Sequence, residues 1–232
     1  NQEWASLFQT DFFGWTKRME MDVSTIISGI YAITPDQIDN DLLLNHTRHA
    51  IQGGVRLVQY RSKTLKPKQK KIQATALKEL CDRTNVQLII NDDIELSKHL
   101  DAFGVHLGKY DDNVDKARKL LGPDKCIGVS CYNSLNRVKE AYEKQVDYIA
   151  LGAFFPTKTK PNAPRATLDI LRQARSMGNI PMVAIGGITL ENIETLKNEQ
   201  INCIALVSSL FNSDNIELTA KQFCTILKSW NL

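Results

Sequence analysis

From Gly29 to Val207 the chain repeats one unit eight times: a short apolar, β-branched run, a polar loop, then a stretch whose apolar residues recur with helical spacing. The runs are Ile30–Ile33, Val55–Tyr60, Val86–Ile90, Gly104–Leu107, Cys126–Val129, Tyr148–Leu151, Met182–Ile185 and Cys203–Val207. Between them lie helical patterns such as Pro67–Arg83, with proline in its first turn, and Asn113–Leu121, stopped by Gly122-Pro123. Nearly continuous apolar strands have no polar face to offer water, so alternation with helices calls for a parallel sheet covered on both sides. Eight such units within 232 residues fit an α/β fold closed into a (β/α)8 TIM barrel, which takes about 250 residues. The competitor is an open doubly wound sheet, which carries a glycine-rich turn after its first strand. Here the first run is followed by Thr34-Pro35-Asp36 instead. No linker or low-complexity stretch interrupts residues 28–232, which read as one catalytic barrel domain.

Residues 1–27 follow a different pattern. Trp4, Leu7, Phe8, Phe12, Trp15 and Met19 are spaced loosely along one helical face. The stretch reads as an N-terminal helical extension that caps the barrel bottom or packs on a second subunit, so a homo-oligomer is among the partners allowed.

Composition narrows the function. The net charge is only +3, with bases scattered among acids, which speaks against a nucleic-acid partner. The apolar runs last a few residues, far short of the ~18 that span a bilayer, so no membrane partner is expected. The five cysteines are irregularly spaced with no CxxC pair, as expected of reduced thiols in a cytoplasmic protein rather than a zinc ribbon or a disulfide framework.

In a barrel of this kind the loops that follow the strands share one rim, so polar residues distant in sequence become neighbours. After the second run stands Gln59-Tyr60-Arg61-Ser62-Lys63. Alternation points Gln59, Arg61 and Lys63 the same way, an amide and two cations suited to a polar ring and a phosphate. The third run leads to Asn91-Asp92-Asp93 and the fourth to Asp111-Asp112. Carboxylates on adjacent rim loops suit Mg²⁺, which takes oxygen ligands and leaves room for substrate phosphates. Asp92 and Asp111 are the metal candidates; the competing role for these acids is helix N-capping. His106 has no second His or Cys at ligand spacing and reads as a hydrogen-bonded structural residue. Ser130 either donates to a phosphate or caps the next helix, and it lacks the Gly-x-Ser-x-Gly elbow of a nucleophile. Thr157, Thr159 and Lys160 form a hydrogen-bonding, cationic loop between prolines. Gly186-Gly187 after the seventh run and Val207-Ser208-Ser209 after the eighth occupy the usual phosphate position of the fold. Two phosphorylated ligands, or one carrying diphosphate, are implied. No side chain is set up as an activated nucleophile, so leaving-group stabilisation is the expected chemistry.

Taken together, Gln59-x-Arg61-x-Lys63, Asn91-Asp92-Asp93, Gly104-Val105-His106-Leu107-Gly108 with Asp111, Ile127-Gly128-Val129-Ser130, Thr157-x-Thr159-Lys160, Ala184-Ile185-Gly186-Gly187-Ile188 and Val207-Ser208 resemble the thiamine phosphate synthase family. The resemblance covers about residues 28–228 and implies a transferase. Such an enzyme couples hydroxymethylpyrimidine diphosphate to hydroxyethylthiazole phosphate, giving thiamine phosphate and diphosphate by dissociative substitution. It implies that Gln59, Arg61, Lys63, Asn91, Ser130 and Lys160 hold the pyrimidine diphosphate, with Arg61, Lys63, Ser130 and Lys160 acting on the leaving group. It assigns Mg²⁺ to Asp92 and Asp111, and the thiazole phosphate to Thr157, Thr159, Gly187, Val207 and Ser208. Lys109-Tyr110 stands where the family commonly has Gln-Glu, and Cys131 where it commonly has Thr. The alternatives are a thiazole tautomerase, which needs no diphosphate and metal constellation, and a non-catalytic phospholigand-binding barrel.

Overall fold

Each of the eight runs forms a strand, and the strands close on themselves in sequence order, every neighbouring pair parallel. The computed structural model describes residues 23–108, 114–157 and 165–231. The strands are β1 (Gly29–Ile33), β2 (Leu57–Tyr60), β3 (Gln87–Asn91), β4 (Gly104–Leu107), β5 (Cys126–Tyr132), β6 (Tyr148–Leu151), β7 (Met182–Ile185) and β8 (Cys203–Leu206). The pairing of β1 with β8 closes the ring and removes every sheet edge. The helices are α1 (Val23–Ile26), α2 (Asn40–Gln52), α3 (Pro67–Arg83), α4 (Ile94–His99), α5 (Val114–Leu121), α6 (Leu135–Glu143), α7 (Leu168–Met177), α8 (Ser208–Phe211) and α9 (Ile216–Ser229). After β7 the expected helix is a single 3₁₀ turn, Ile193–Leu196.

Local signals set these boundaries. Pro67 starts α3, where its missing N–H costs nothing. Asp39, Asp93, Ser134 and Asn215 each accept a backbone N–H as N-caps of α2, α4, α6 and α9. The strands as read from sequence differ mainly at their ends. β2 begins two residues later than Val55, and β5 runs three residues past Val129 to Tyr132.

The core lies in two layers. Leu43, Leu77, Val105, Ile127, Leu171 and Phe223 fill the space between sheet and helices. Tyr31, Leu57, Ile89, Cys126, Tyr148, Val183 and Cys203 fill the barrel interior. Val23, Ile26 and Ile27 pack against that inner layer just ahead of β1. Of the stretch read as an N-terminal extension, residues 1–22 lie outside the described residues.

Candidate active site

The loop after β2 is held by the loop after β1. Thr34 Oγ1 accepts the N–H of Arg61 at 2.9 Å and donates to its carbonyl at 3.2 Å. Asp36 then takes the Arg61 guanidinium on one oxygen at 2.9 Å and the Lys63 backbone N–H on the other at 2.5 Å. In the sequence, Thr34-Pro35-Asp36 marks only the absence of a glycine-rich turn. In the fold the two polar residues form a bracket that holds the Arg61 guanidinium and the backbone of both Arg61 and Lys63. Gln59 and Arg61 line the cavity at the strand ends, whereas Lys63 lies three residues beyond the end of β2 and its ammonium binds the Asp92 carboxylate.

The structure separates the two adjacent acids after β3. Asp93 is the cap of α4, accepting from Leu96 N at 2.9 Å. Asp92 adopts a left-handed backbone, with φ of +64°, a conformation that Asp tolerates better than most residues. That turn directs its carboxylate to Lys63, to the Asn91 amide at 2.6 Å and to Gly108 N at 3.2 Å. With capping done by Asp93, the Asp92 oxygens sit on the rim, as a cation ligand needs. Asp111, the second metal candidate, lies outside the described residues, as do Thr159 and Lys160.

Parallel register builds the floor of the cavity. It pairs Asn91 with His106, His106 with Gly128, and Gly128 with Tyr148. Three of these carry inward polar side chains, and one glycine makes room for them. A Cβ on Gly128 would sit 2.0 Å from the Tyr148 ring. In that gap the Tyr148 ring stacks beside His106, with centroids 5.5 Å apart, and meets Tyr31 edge-on. A chain of hydrogen bonds follows. Gln59 Nε2 donates to Tyr31 Oη at 2.7 Å, the two tyrosine hydroxyls meet at 2.9 Å, Tyr148 Oη meets His106 Nδ1 at 2.8 Å, and His106 Nε2 meets Ser130 Oγ at 2.9 Å. Burial pushes both tyrosine hydroxyls well above their ordinary pKa, because the phenolate would lose its hydration. His106 is hydrogen-bonded as its lone position in sequence suggested, yet its partners make it part of the site. Tyr31 and Tyr148 were missed. A tyrosine inside an otherwise apolar barrel strand, whose hydroxyl must find a partner, is the signal that could have found them.

Ser130 does not cap α6, since Ser134 does. A bulge at the end of β5 skips Cys131 between the pairs Ser130–Ala150 and Tyr132–Leu151. Ser130 and Tyr132 both face the cavity, while Cys131 is buried toward the helices.

The opposite wall is backbone. Gly186 and Gly187 have φ of +103° and +65°, and a Cβ on Gly187 would meet the Pro156 carbonyl oxygen at 2.2 Å. Only glycine fits this turn. The Gly186 carbonyl accepts from Phe155 N and the Gly187 carbonyl from Asn192 Nδ2, both at 2.9 Å. What the turn offers a ligand is therefore its N–H side.

These walls surround one cavity of about 910 Å³, part of it open to solvent. Of the residues singled out in the sequence, Gln59, Arg61, Asn91, Ser130, Thr157, Gly187, Val207 and Ser208 line it together. Lys63 and Asp92 stand beside it, joined to Arg61 through Asp36 and to Asn91 directly. The arrangement supplies cations and amides at one side, a glycine turn and hydroxyls at the other, and a buried polar floor between. It suits two anionic ligands held end to end.

Similarity to known proteins runs over most of the chain. The family model described as thiamine monophosphate synthase matches residues 30–210. Thiamine-phosphate synthase of Methylobacillus flagellatus is 45% identical over 197 residues, covering 85% of this chain and 94% of the relative. That of Nitrosospira multiformis is 44% identical over 202 residues, covering 87% and 86%. The structure of thiamine phosphate pyrophosphorylase from Pyrococcus furiosus superposes with a TM-score of 0.78 at 26% identity, covering 88% of this chain and 98% of that one. At 13% identity, 3-hexulose-6-phosphate synthase shares the barrel alone, with a TM-score of 0.64. A closed eight-stranded barrel, a cavity at its strand ends and matching sequence over most of its length make this chain a member of the thiamine monophosphate synthase family.

Proposed function

We propose that the cavity joins hydroxymethylpyrimidine diphosphate to hydroxyethylthiazole phosphate, releasing diphosphate and forming thiamine phosphate. The C–O bond to diphosphate breaks first, and the thiazole nitrogen then closes the new C–N bond on the pyrimidine methylene cation. Gln59 and Asn91 read the polar edge of the pyrimidine. Arg61 and Lys63, with Lys160, neutralise the diphosphate as charge gathers on the departing oxygen, where fixed charges are worth most. Ser130 donates its hydroxyl hydrogen to the same group. Thr157, Thr159, Val207, Ser208 and the N–H side of Gly187 hold the thiazole phosphate.

Asp92 and Asp111 would hold Mg²⁺, which supplies further neutralisation of the diphosphate when bound. The fit rests on Asp92, a rim carboxylate relieved of capping by Asp93 and held near Lys63 without being buried. Among the described residues no helix is long and apolar enough to cross a membrane, and a cytoplasmic setting suits the five cysteine thiols.

The observation that carries the reading is the single cavity on which Gln59, Arg61, Asn91, Ser130, Gly187 and Ser208 converge. A tautomerase would leave the Asp36–Arg61 and Lys63–Asp92 pairs without a ligand to serve. The test is diphosphate release measured with both substrates and Mg²⁺. Release that requires the thiazole partner and yields thiamine phosphate is the expected outcome. Release at the same rate without the thiazole partner, or no product from active-site-titrated protein, overturns the proposal.

A further inference from the structure

Five polar side chains cross the barrel floor in one unbroken line, and only the two ends and His106 open on the cavity. Gln59, Tyr31, Tyr148 and His106 are each at least nine-tenths buried. Every hydroxyl in the line has a single hydrogen to give, so choosing a donor at one end fixes all the others. With the Gln59 amide nitrogen on Tyr31, Tyr31 must donate to Tyr148, Tyr148 to His106 Nδ1, and His106 Nε2–H to Ser130. The Ser130 hydrogen is then left over for a ligand. Turning the Gln59 amide over reverses each step: His106 becomes the Nδ1–H tautomer, Ser130 spends its hydrogen on Nε2, and lone pairs face the cavity. The first direction suits an anion; the second repels one.

We propose that these five residues form a relay of fixed direction, in which Tyr31 and Tyr148 are positioning residues that hold His106 as the neutral Nε2–H tautomer and so keep the Ser130 hydrogen pointed at the departing diphosphate. The proposal rests on the placement of Ser130 at the diphosphate given above. Two observations support it. The tyrosine hydroxyls are sealed from water and stay protonated, so each remains a one-hydrogen donor. The site also reserves a glycine, Gly128, for the Tyr148 ring to reach His106. An interior needing only bulk is filled as well by phenylalanine, since replacing both partners of a buried hydrogen bond by apolar groups is nearly neutral.

The test has a spectroscopic and a kinetic arm, both on the full chain. In the wild type, the ¹⁵N shifts of His106 should report a protonated Nε2 and a bare Nδ1. In Tyr148→Phe, and separately in Tyr31→Phe, the two tautomers should mix. Each variant should lose about tenfold in kcat with little change in KM for the thiazole substrate. In a Ser130→Ala background the same Tyr148→Phe change should cost less than about twofold, because residues that act through one another are not additive. A protonated Nδ1 in the wild type overturns the relay, as does a Tyr148→Phe loss that persists in full without Ser130. Full activity of Ser130→Ala instead overturns its placement at the diphosphate, and the shifts still report the direction of the line.

Discussion

Asp36 illustrates how much a single side chain can do for a site it does not line. It holds the Arg61 guanidinium and the Lys63 backbone at once, with 30% of its side chain exposed. A partly exposed ion pair contributes little stability, about 0–1 kcal/mol, so its value lies in where it puts the Arg61 guanidinium and the Lys63 backbone. Asp36→Asn keeps the shape and drops the charge. We expect kcat/KM to fall by about tenfold to a hundredfold, since small misplacement of a clamp is costly to rate, with the urea midpoint nearly unchanged. Steady-state kinetics beside urea denaturation checks this; a loss of stability matching the loss of rate would make Asp36 a structural residue instead. Asp92 and Asp93 carry the complementary lesson. Two neighbouring acids of the same type divide into rim carboxylate and helix cap because one takes a left-handed φ and the other accepts from Leu96 N.

At the scale of elements, β5 sets the floor. Its regular half brings Gly128 opposite Tyr148, and its bulged end brings Ser130 and Tyr132 to the cavity while Cys131 packs outward. Bulges beside active sites re-aim side chains in this way. Gly128→Ala places a methyl 2.0 Å from the Tyr148 ring, which is fully buried and held by hydrogen bonds to Tyr31 and His106. Overpacking of this kind costs about 1–3 kcal/mol. The expected result is a lower urea midpoint together with loss of the His106–Tyr148 contact, read from the His106 ring resonances. A variant as stable as the parent would mean that β5 and β6 slide apart more easily than a closed barrel allows. The helix after β7 shows the limit of periodicity: a single 3₁₀ turn follows the glycine turn.

The whole molecule is a closed sheet around a buried polar line, and its pH response follows. Burial raises Cys81 from 9.0 to about 12 and Tyr60 from 10.0 to about 12, and drives Cys126, Tyr31 and Tyr148 up as well. In the unfolded chain these groups ionise at their ordinary values, so above about pH 9 the folded state binds more protons than the unfolded one. Stability from these groups is complete below about pH 9 and is lost as pH rises toward about 12. The urea midpoint should therefore fall steadily from about pH 9 upward. A midpoint that stays level to about pH 11 would show that these side chains reach water in the native barrel.

Periodicity and turn chemistry are local, and so the eight strands, the α3 start at Pro67 and the parallel closed barrel were legible in the order of residues. The convergence of Gln59, Arg61, Asn91, Ser130, Thr157, Gly187, Val207 and Ser208 on one cavity followed from the same pattern, because a barrel gathers whatever stands after its strands. The local pattern left open which acid caps and which faces the rim, what Thr34 and Asp36 hold, and why Tyr31, Tyr148 and His106 belong together. Those depend on register and on the space a missing side chain leaves at Gly128, where residues 20 to 117 positions apart meet. Hydrogen bonds between such distant residues exist only once the ring has closed, and a linear chain carries no mark of them beyond the polar atoms themselves.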